Sequence, residues 1–269
     1  MLKQRIITAL ILAPLTVWGI WALSSPLFAL ILALIFSLGG WEWARLSGLQ
    51  HTSGRLLYAA LLGGMMYGTY LLLQQESWAA VILVLALMWW TLALMSVLGY
   101  PQSSGLWRLA FARGVAGIFI LLPAWAAMVL LHREFGPGYV ILLIMLVWGA
   151  DIGAYFAGRA FGKHKLAPRV SPGKTREGVL GGMLLALAVA LVAALWLKPA
   201  GNITAFLLLC VLTVAISVLG DLVESLFKRI ADVKDSGDLL PGHGGVMDRI
   251  DSLTAAAPIF TLGLVWLSR

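Results

Sequence analysis

The stretch VLGGMLLALAVALVAALWL, residues 179–197, runs for nineteen residues without a charge. At about 1.5 Å of rise per residue, a helix of that length spans the ~30 Å hydrocarbon core of a bilayer. Lipid offers no partner for backbone N–H and C=O groups, so a segment crossing it must satisfy them internally, which makes this one a helix. Polar residues bracket the run, Arg176 and Glu177 on one side and Lys198 on the other. Working outward, the same criteria find eight more runs: Ile6 to Leu23, Leu27 to Trp41, Leu56 to Leu73, Trp78 to Leu98, Phe111 to Leu131, Tyr139 to Phe156, Ile203 to Leu219 and Leu253 to Leu267.

Composition agrees. The chain has 269 residues, 61% of them hydrophobic and 12% charged, with a mean hydropathy of +0.94, whereas soluble domains carry roughly 25% charged residues. The expected fold class is therefore all-α: a polytopic integral membrane protein of about nine transmembrane helices, forming one membrane domain over residues 1–269. Residues 1–140 supply N-terminal spans as scaffold and candidate dimerisation surface. Residues 141–269 carry the polar loops in which a catalytic site is sought.

The first run follows Lys3 and Arg5 and ends near Ala22 and Ser24, as a signal peptide does. Its apolar stretch exceeds the 7–15 residues of a typical signal core, so a retained helix is expected. With the N-terminus in the cytoplasm, sixteen of the nineteen Lys and Arg residues fall on that side, leaving Arg133, Lys198 and Arg269 on the other. That asymmetry predicts a protein of the cytoplasmic (inner) membrane, with cytoplasmic N-terminus and polar site and the C-terminus on the opposite face.

The net charge of +7 sits in short loops between apolar runs, which suits membrane topology and anionic substrates; a nucleic-acid partner is not expected. Cys210, the single cysteine, lies in an apolar run, excluding an intramolecular disulfide or a cysteine metal cluster. Trp41, Trp43, Trp89 and Trp90 are read as interface markers rather than stacking platforms for nucleobases.

Two polar segments remain, 158–178 and 221–251. If the eighth helix continues into the second, Asp221, Glu224, Ser225 and Lys228 share one face at spacings of three and four. Asp248 and Asp251 share a face at the start of the ninth. Carboxylates gathered at a membrane boundary are costly without a cation between them, and hard oxygen ligands suit Mg²⁺ when phosphate oxygens complete its shell. Lys228, Arg229, Lys234 and Arg249 supply cations for phosphate. The competing reading is that these acids and bases pair with one another at the water surface.

In LPGHGG, residues 240–245, glycines permit positive φ and let backbone N–H groups approach an anion. His243 is a candidate phosphate contact or proton-transfer group, with a structural hydrogen bond as the alternative. The first segment ends in SPGKTREG, residues 171–178, and resembles a nucleotide P-loop only superficially: Pro168 stands where the first glycine belongs and no strand is expected before it. What survives is a basic loop feeding a helix start, with Lys174 and Glu177 near a site for a phosphate or lipid headgroup. Asp151, in WGADIGAY (148–155), is an ionisable group within an apolar run and hence a site candidate. The small residues around it serve close helix packing as an alternative.

These residues carry a resemblance. The pattern Ser225-x-x-Lys228-Arg229, Lys234-Asp235-x-Gly237 and Pro241-x-His243-Gly244-Gly245-x-x-Asp248-Arg249-x-Asp251 resembles the signature of phosphatidate cytidylyltransferases. Ser171-Pro-x-Lys174-Thr175-x-Glu177-Gly178 and Gly149-Ala-Asp151 are similar too, so the specific likeness covers roughly the last 120 residues. It implies a homodimeric membrane enzyme that joins CTP to phosphatidic acid, giving CDP-diacylglycerol and pyrophosphate with Mg²⁺, and it admits a second, monovalent cation such as K⁺. Carried onto this sequence, the resemblance implies that Asp221 and Asp248 would bind metal. By the same resemblance Asp221, Lys228, Asp248, Arg249 and Asp251 are expected to be catalytic, and Lys174, Lys228, Arg229, Lys234, His243, Gly244 and Gly245 are expected to bind substrate. A lipid or solute transporter and another Mg²⁺-dependent lipid phosphotransferase or kinase are the alternative functions. The gathering of charge on one side, rather than along a path through the bilayer, weighs against transport.

Overall fold

The computed structural model describes residues 13–199, 201–237, 239 and 244–268. Helix α1 covers residues 13–22, and whatever precedes it lies outside the described residues. Then come α2 (Ser25–Leu46), α3 (Thr52–Leu72), α4 (Glu76–Leu98), a 3-10 turn (Gln102–Trp107) and α5 (Ala110–Leu130), which runs on into a π-helical turn (Leu131–Phe135). Helix α6 (Pro137–Phe161) leads into strands β1 (Lys165–Ala167) and β2 (Ser171–Thr175), followed by α7 (Arg176–Leu197), α8 (Ile203–Ile230) and α9 (Met247–Leu267).

Seven described helices, α2 and α4 to α9, are long and apolar enough to cross a membrane, with mean hydropathies from 1.6 to 2.6. The expected number was about nine. Helix α1 is described only from residue 13, the rest of the Ile6 to Leu23 run lying outside the described residues, and α3 has the length, 21 residues, but Gly63, Gly64, Gly68, Tyr58, Tyr67 and Tyr70 dilute its apolar character. The protein is a helical membrane protein.

Helices α5 and α9 form the centre, each with 72% of its apolar window buried, against 22% for α7. Helix α9 suits the middle because it is built from small residues: Ala255, Ala256 and Ala257 are wholly buried, and the Thr261 hydroxyl donates to the Ala127 carbonyl of α5 at 3.1 Å. The outer helix α7 instead presents Leu180, Leu184, Leu195 and Trp196 outward, where lipid replaces water as the neighbour.

Polar helix ends meet at one end of the bundle. Trp43 Nε1 donates to Arg113 O at 2.8 Å, Arg45 to Asp235 O at 2.5 Å, and Arg229 to Val170 O at 3.3 Å. At the other end, Arg133 donates to Leu73 O at 2.9 Å. This alternation is what successive antiparallel spans produce.

Two expectations need correction. Segment 158–178 is not simply a loop: β1 and β2 pair antiparallel, Lys165 opposite Thr175 and Ala167 opposite Ser171. The β-branched Thr175 and the extended Ser171-Pro step favour strand locally. Trp43, Trp89 and Trp90 are buried rather than interfacial. Trp43 packs on Phe227, and Trp89 against Trp107 and Phe119, so their ring area serves helix packing. Trp41 does sit at an edge, under the Arg55 guanidinium at 4.3 Å.

Helices α6 and α7 cross at backbone contact. A Cβ at Gly153 would lie 2.6 Å from Gly181 O, and one at Gly182 would lie 2.7 Å from Ala150 O. Backbone cannot yield as a side chain can, so Gly182→Ala should cost ~1–3 kcal/mol of stability through overpacking. Gly68→Ala on α3, where a Cβ meets open space, should change stability by less than about 1 kcal/mol. Thermal midpoints of the two variants in one detergent check this; equal midpoints would contradict the close crossing.

Candidate active site

Helix α8 does continue beyond its apolar run, to Ile230. Its last turns therefore carry Asp221, Glu224, Ser225 and Lys228 on one face, and the i, i+4 contacts form: Ser225 Oγ donates to Asp221 Oδ1 at 3.3 Å and Lys228 Nζ to Glu224 Oε2 at 3.0 Å. Lys228 also reaches Asp248 Oδ1 on α9 at 2.8 Å. The three side chains are 15%, 1% and 11% exposed. Burial to this degree makes each charge depend on its partner: removing one member of such a pair costs roughly 3–5 kcal/mol.

Helix α9 starts at Met247, ahead of its apolar run, which puts Asp248 in its first turn as the spacing predicts, where the helix end favours an anion. The second Asp248 oxygen accepts from Gly245 N at 2.7 Å, Ser236 Oγ at 2.8 Å and Ser236 N at 3.3 Å. Gly244, at φ 79°, lets the chain turn beside this carboxylate. One turn on, Asp251 is buried, and its Oδ1 accepts from Ser252 N at 2.7 Å. Its backbone touches α8 at Gly220, where a Cβ would collide with Asp251 O.

The hairpin brings the other lysine. Lys174 on β2 pairs with Asp221 Oδ2 at 2.6 Å, both side chains partly exposed. Thr175 then caps α7, accepting from Gly178 N at 3.1 Å. Glu177 in the first turn ties the end of α6 to that cap, accepting from the N–H groups of Lys163 and His164. Asp151 on α6 lies within electrostatic reach of Lys174, Asp221 and Arg249. It lines a cavity of about 410 Å³ together with Tyr155, Arg159, Lys174 and Val218.

The structure thus brings Asp221, Glu224, Lys228, Asp248 and Asp251 together, with Asp151 and Lys174 adjoining. Arg229 points elsewhere, into the hairpin at Val170 O. Lys234 and Arg249 are exposed, and Gly244 and Gly245 pack on Asp248. His243 lies outside the described residues.

Sequence reasoning passed over Glu42 and Ser236. Glu42 on α2 is fully buried and accepts from Met247 N at 2.7 Å. The signal was available: it is the one acidic residue before Glu76, at the end of an apolar run, where a carboxylate marks function by default. Ser236 carried no comparable signal.

The donors are all hard oxygens, as Mg²⁺ requires. Among the described residues, no three His, Cys, Asp or Glu side chains converge to hold a metal alone. Glu224 Oε1 is nevertheless buried without a hydrogen-bond partner, in the field of Asp251 and Asp248. A buried carboxylate oxygen without a partner, beside two further acids, fits a cation held by one or two carboxylates and completed by substrate phosphates.

Comparison with known proteins agrees with this chemistry. The profile of the Cytidylyltransferase family matches residues 3–267. A phosphatidate cytidylyltransferase of Pseudomonas aeruginosa is 52% identical over 268 residues, covering 99% of this chain and 97% of that protein. One from Haemophilus influenzae is 43% identical, covering 97% and 98%, and one from Brucella suis is 36% identical, covering 97% and 92%. With a matched profile over nearly its whole length and relatives of this identity, the chain belongs to the cytidylyltransferase family and is a nucleotidyltransferase.

Proposed function

We propose that this enzyme transfers the cytidylyl group of CTP to phosphatidic acid at the cytoplasmic end of the bundle, giving CDP-diacylglycerol and pyrophosphate for phospholipid synthesis. The observation that carries the reading is a pair of lysines held by carboxylates on α8 and α9: Lys174, which lines the cavity between α6, α7 and α8 and pairs with Asp221, and Lys228, which pairs with Glu224 and Asp248 farther along α8. A phosphatidate oxygen forms a bond to the α-phosphorus of CTP while the bond to the β-phosphate bridging oxygen breaks. A phosphate monoester with a second pKa near 6 is already mostly dianionic at neutral pH, so no base is needed. The residues' work is positioning and neutralising charge.

Lys228 and Lys174 are each already neutralised by acids, so a triphosphate does not meet free cations there. Asp221 and Asp248 are the residues that would hold Mg²⁺, which supplies charge neutralisation on the triphosphate and leaving group. Asp251 and Glu224 hold the negative field around it, and a monovalent ion such as K⁺ fits the same acids. Lys174, Lys228 and Arg249 face the phosphates; Arg229 serves by fixing the hairpin. Phosphatidate enters from surrounding membrane lipids, and the enzyme works as a homodimer.

Purified enzyme in lipid-containing detergent should release pyrophosphate only with CTP, phosphatidic acid and Mg²⁺ together, and a chelator should stop it. Asp221→Asn and Asp248→Asn should each lower turnover at least ~100-fold in protein that still inserts, whereas Asp232→Asn, exposed beyond the end of α8, stays within about threefold. Full activity of folded Asp248→Asn, or turnover without divalent metal, would overturn this site.

The excess of Lys and Arg at the site end supports an inner-membrane orientation with that end cytoplasmic. Alkaline phosphatase fused after Ser268 should then be active in the periplasm of a bacterial host, and an inactive fusion beside an active cytoplasmic reporter would reverse the orientation.

A further inference from the structure

The side chain that ties the N-terminal half to the site is Glu42, near the end of α2. It is 0% exposed, yet only one carboxylate oxygen is satisfied: Oε2 accepts from Met247 N at 2.7 Å and lies 3.3 Å from Ser236 Oγ, while Oε1 has no hydrogen-bond partner. Ser236 has one hydroxyl proton, and the nearer acceptor is Asp248 Oδ2 at 2.8 Å. A Cβ at Gly237 or at Gly245 would overlap the Glu42 carboxylate, so both glycines are pressed against it. One turn along α2, Arg45 donates to Asp235 O at 2.5 Å. The end of α2 therefore grips both sides of the segment joining α8 to α9: residues 235–237 where it leaves α8, and 245–247 where it enters α9.

A half-satisfied buried acid is a poor way to stabilise a helix bundle, since an apolar residue of similar volume avoids the desolvation cost. What the carboxylate achieves is geometric. It holds the first N–H of α9 and backs the serine that holds Asp248. We propose that Glu42 is a positioning residue for the transfer reaction: by clamping both ends of segment 236–247 it sets where Asp248 meets Lys228. The catalytic part of this inference rests on the cytidylyl-transfer reading; the clamp itself does not.

Hydrogen exchange without substrate, read beside steady-state kinetics, separates the two. In Glu42→Ala, peptides covering 235–250 should exchange at least ~10-fold faster while those of α6 and α7 stay unchanged. Turnover should fall ~30-fold with KM for CTP within about threefold. Glu42→Gln keeps an acceptor for Met247 N–H and should restore both to within about threefold of the parent. Gly237→Ala, which displaces the carboxylate from the other side, should reproduce the Glu42→Ala pattern and serves where that variant does not fold. Unchanged exchange over 235–250, faster exchange spread across all helices, or Glu42→Gln as impaired as Glu42→Ala would each overturn the positioning role. A parent enzyme that makes no CDP-lipid would overturn the functional reading instead, and the exchange data would still decide whether Glu42 is the clamp.

Discussion

A lysine ammonium held between two acids at a membrane boundary governs this structure. Lys228 lies 3.0 Å from Glu224 and 2.8 Å from Asp248, with all three nearly withdrawn from solvent. None of these charges is tolerable there alone, so the elements that deliver them are constrained together. Helix α8 must run unbroken to Ile230 so that Glu224 and Lys228 stand one turn apart, and α9 must begin at Met247 so that Asp248 falls in its first turn. The segment between them must bring Ser236 and the Gly245 N–H to the remaining carboxylate oxygen, and that in turn involves Glu42, nearly two hundred residues earlier.

The rest of the bundle makes that arrangement reachable. Glycines let α6 and α7 touch backbone to backbone, and α8 and α9 do so at Gly220. Close crossings anchor the hairpin, and the hairpin carries Lys174 to Asp221. The outcome is a charged centre that adjoins, through Lys174, the cavity between α6, α7 and α8. Each lysine is paired with an acid, so a phosphate that engages it must draw it away from that carboxylate.

Much of this was legible in the chain. Uninterrupted apolar runs place the spans because lipid leaves the backbone no other option, and the spacing of Asp221, Glu224, Ser225 and Lys228 predicts a shared helical face that the contacts confirm. Less could be read where tertiary contacts decide. Arg229 matches a phosphate-binding pattern yet turns to Val170, since only the folded hairpin supplies that carbonyl. The tryptophans have the composition of interface anchors, and their burial follows from which helices pack against them. Ser236 is ordinary in sequence and becomes important only because two carboxylates converge on it.

The central claim, that this charged centre moves the α-phosphoryl group with its cytidine onto a lipid phosphate, is tested most directly by following label. With phosphatidate vesicles and enzyme, CTP labelled at the α-phosphate should pass its label into the lipid phase, while CTP labelled at the γ-phosphate should leave its label in water as pyrophosphate. Label from the γ-phosphate appearing in lipid would make the protein a kinase, and label from neither position entering lipid would contradict the account altogether.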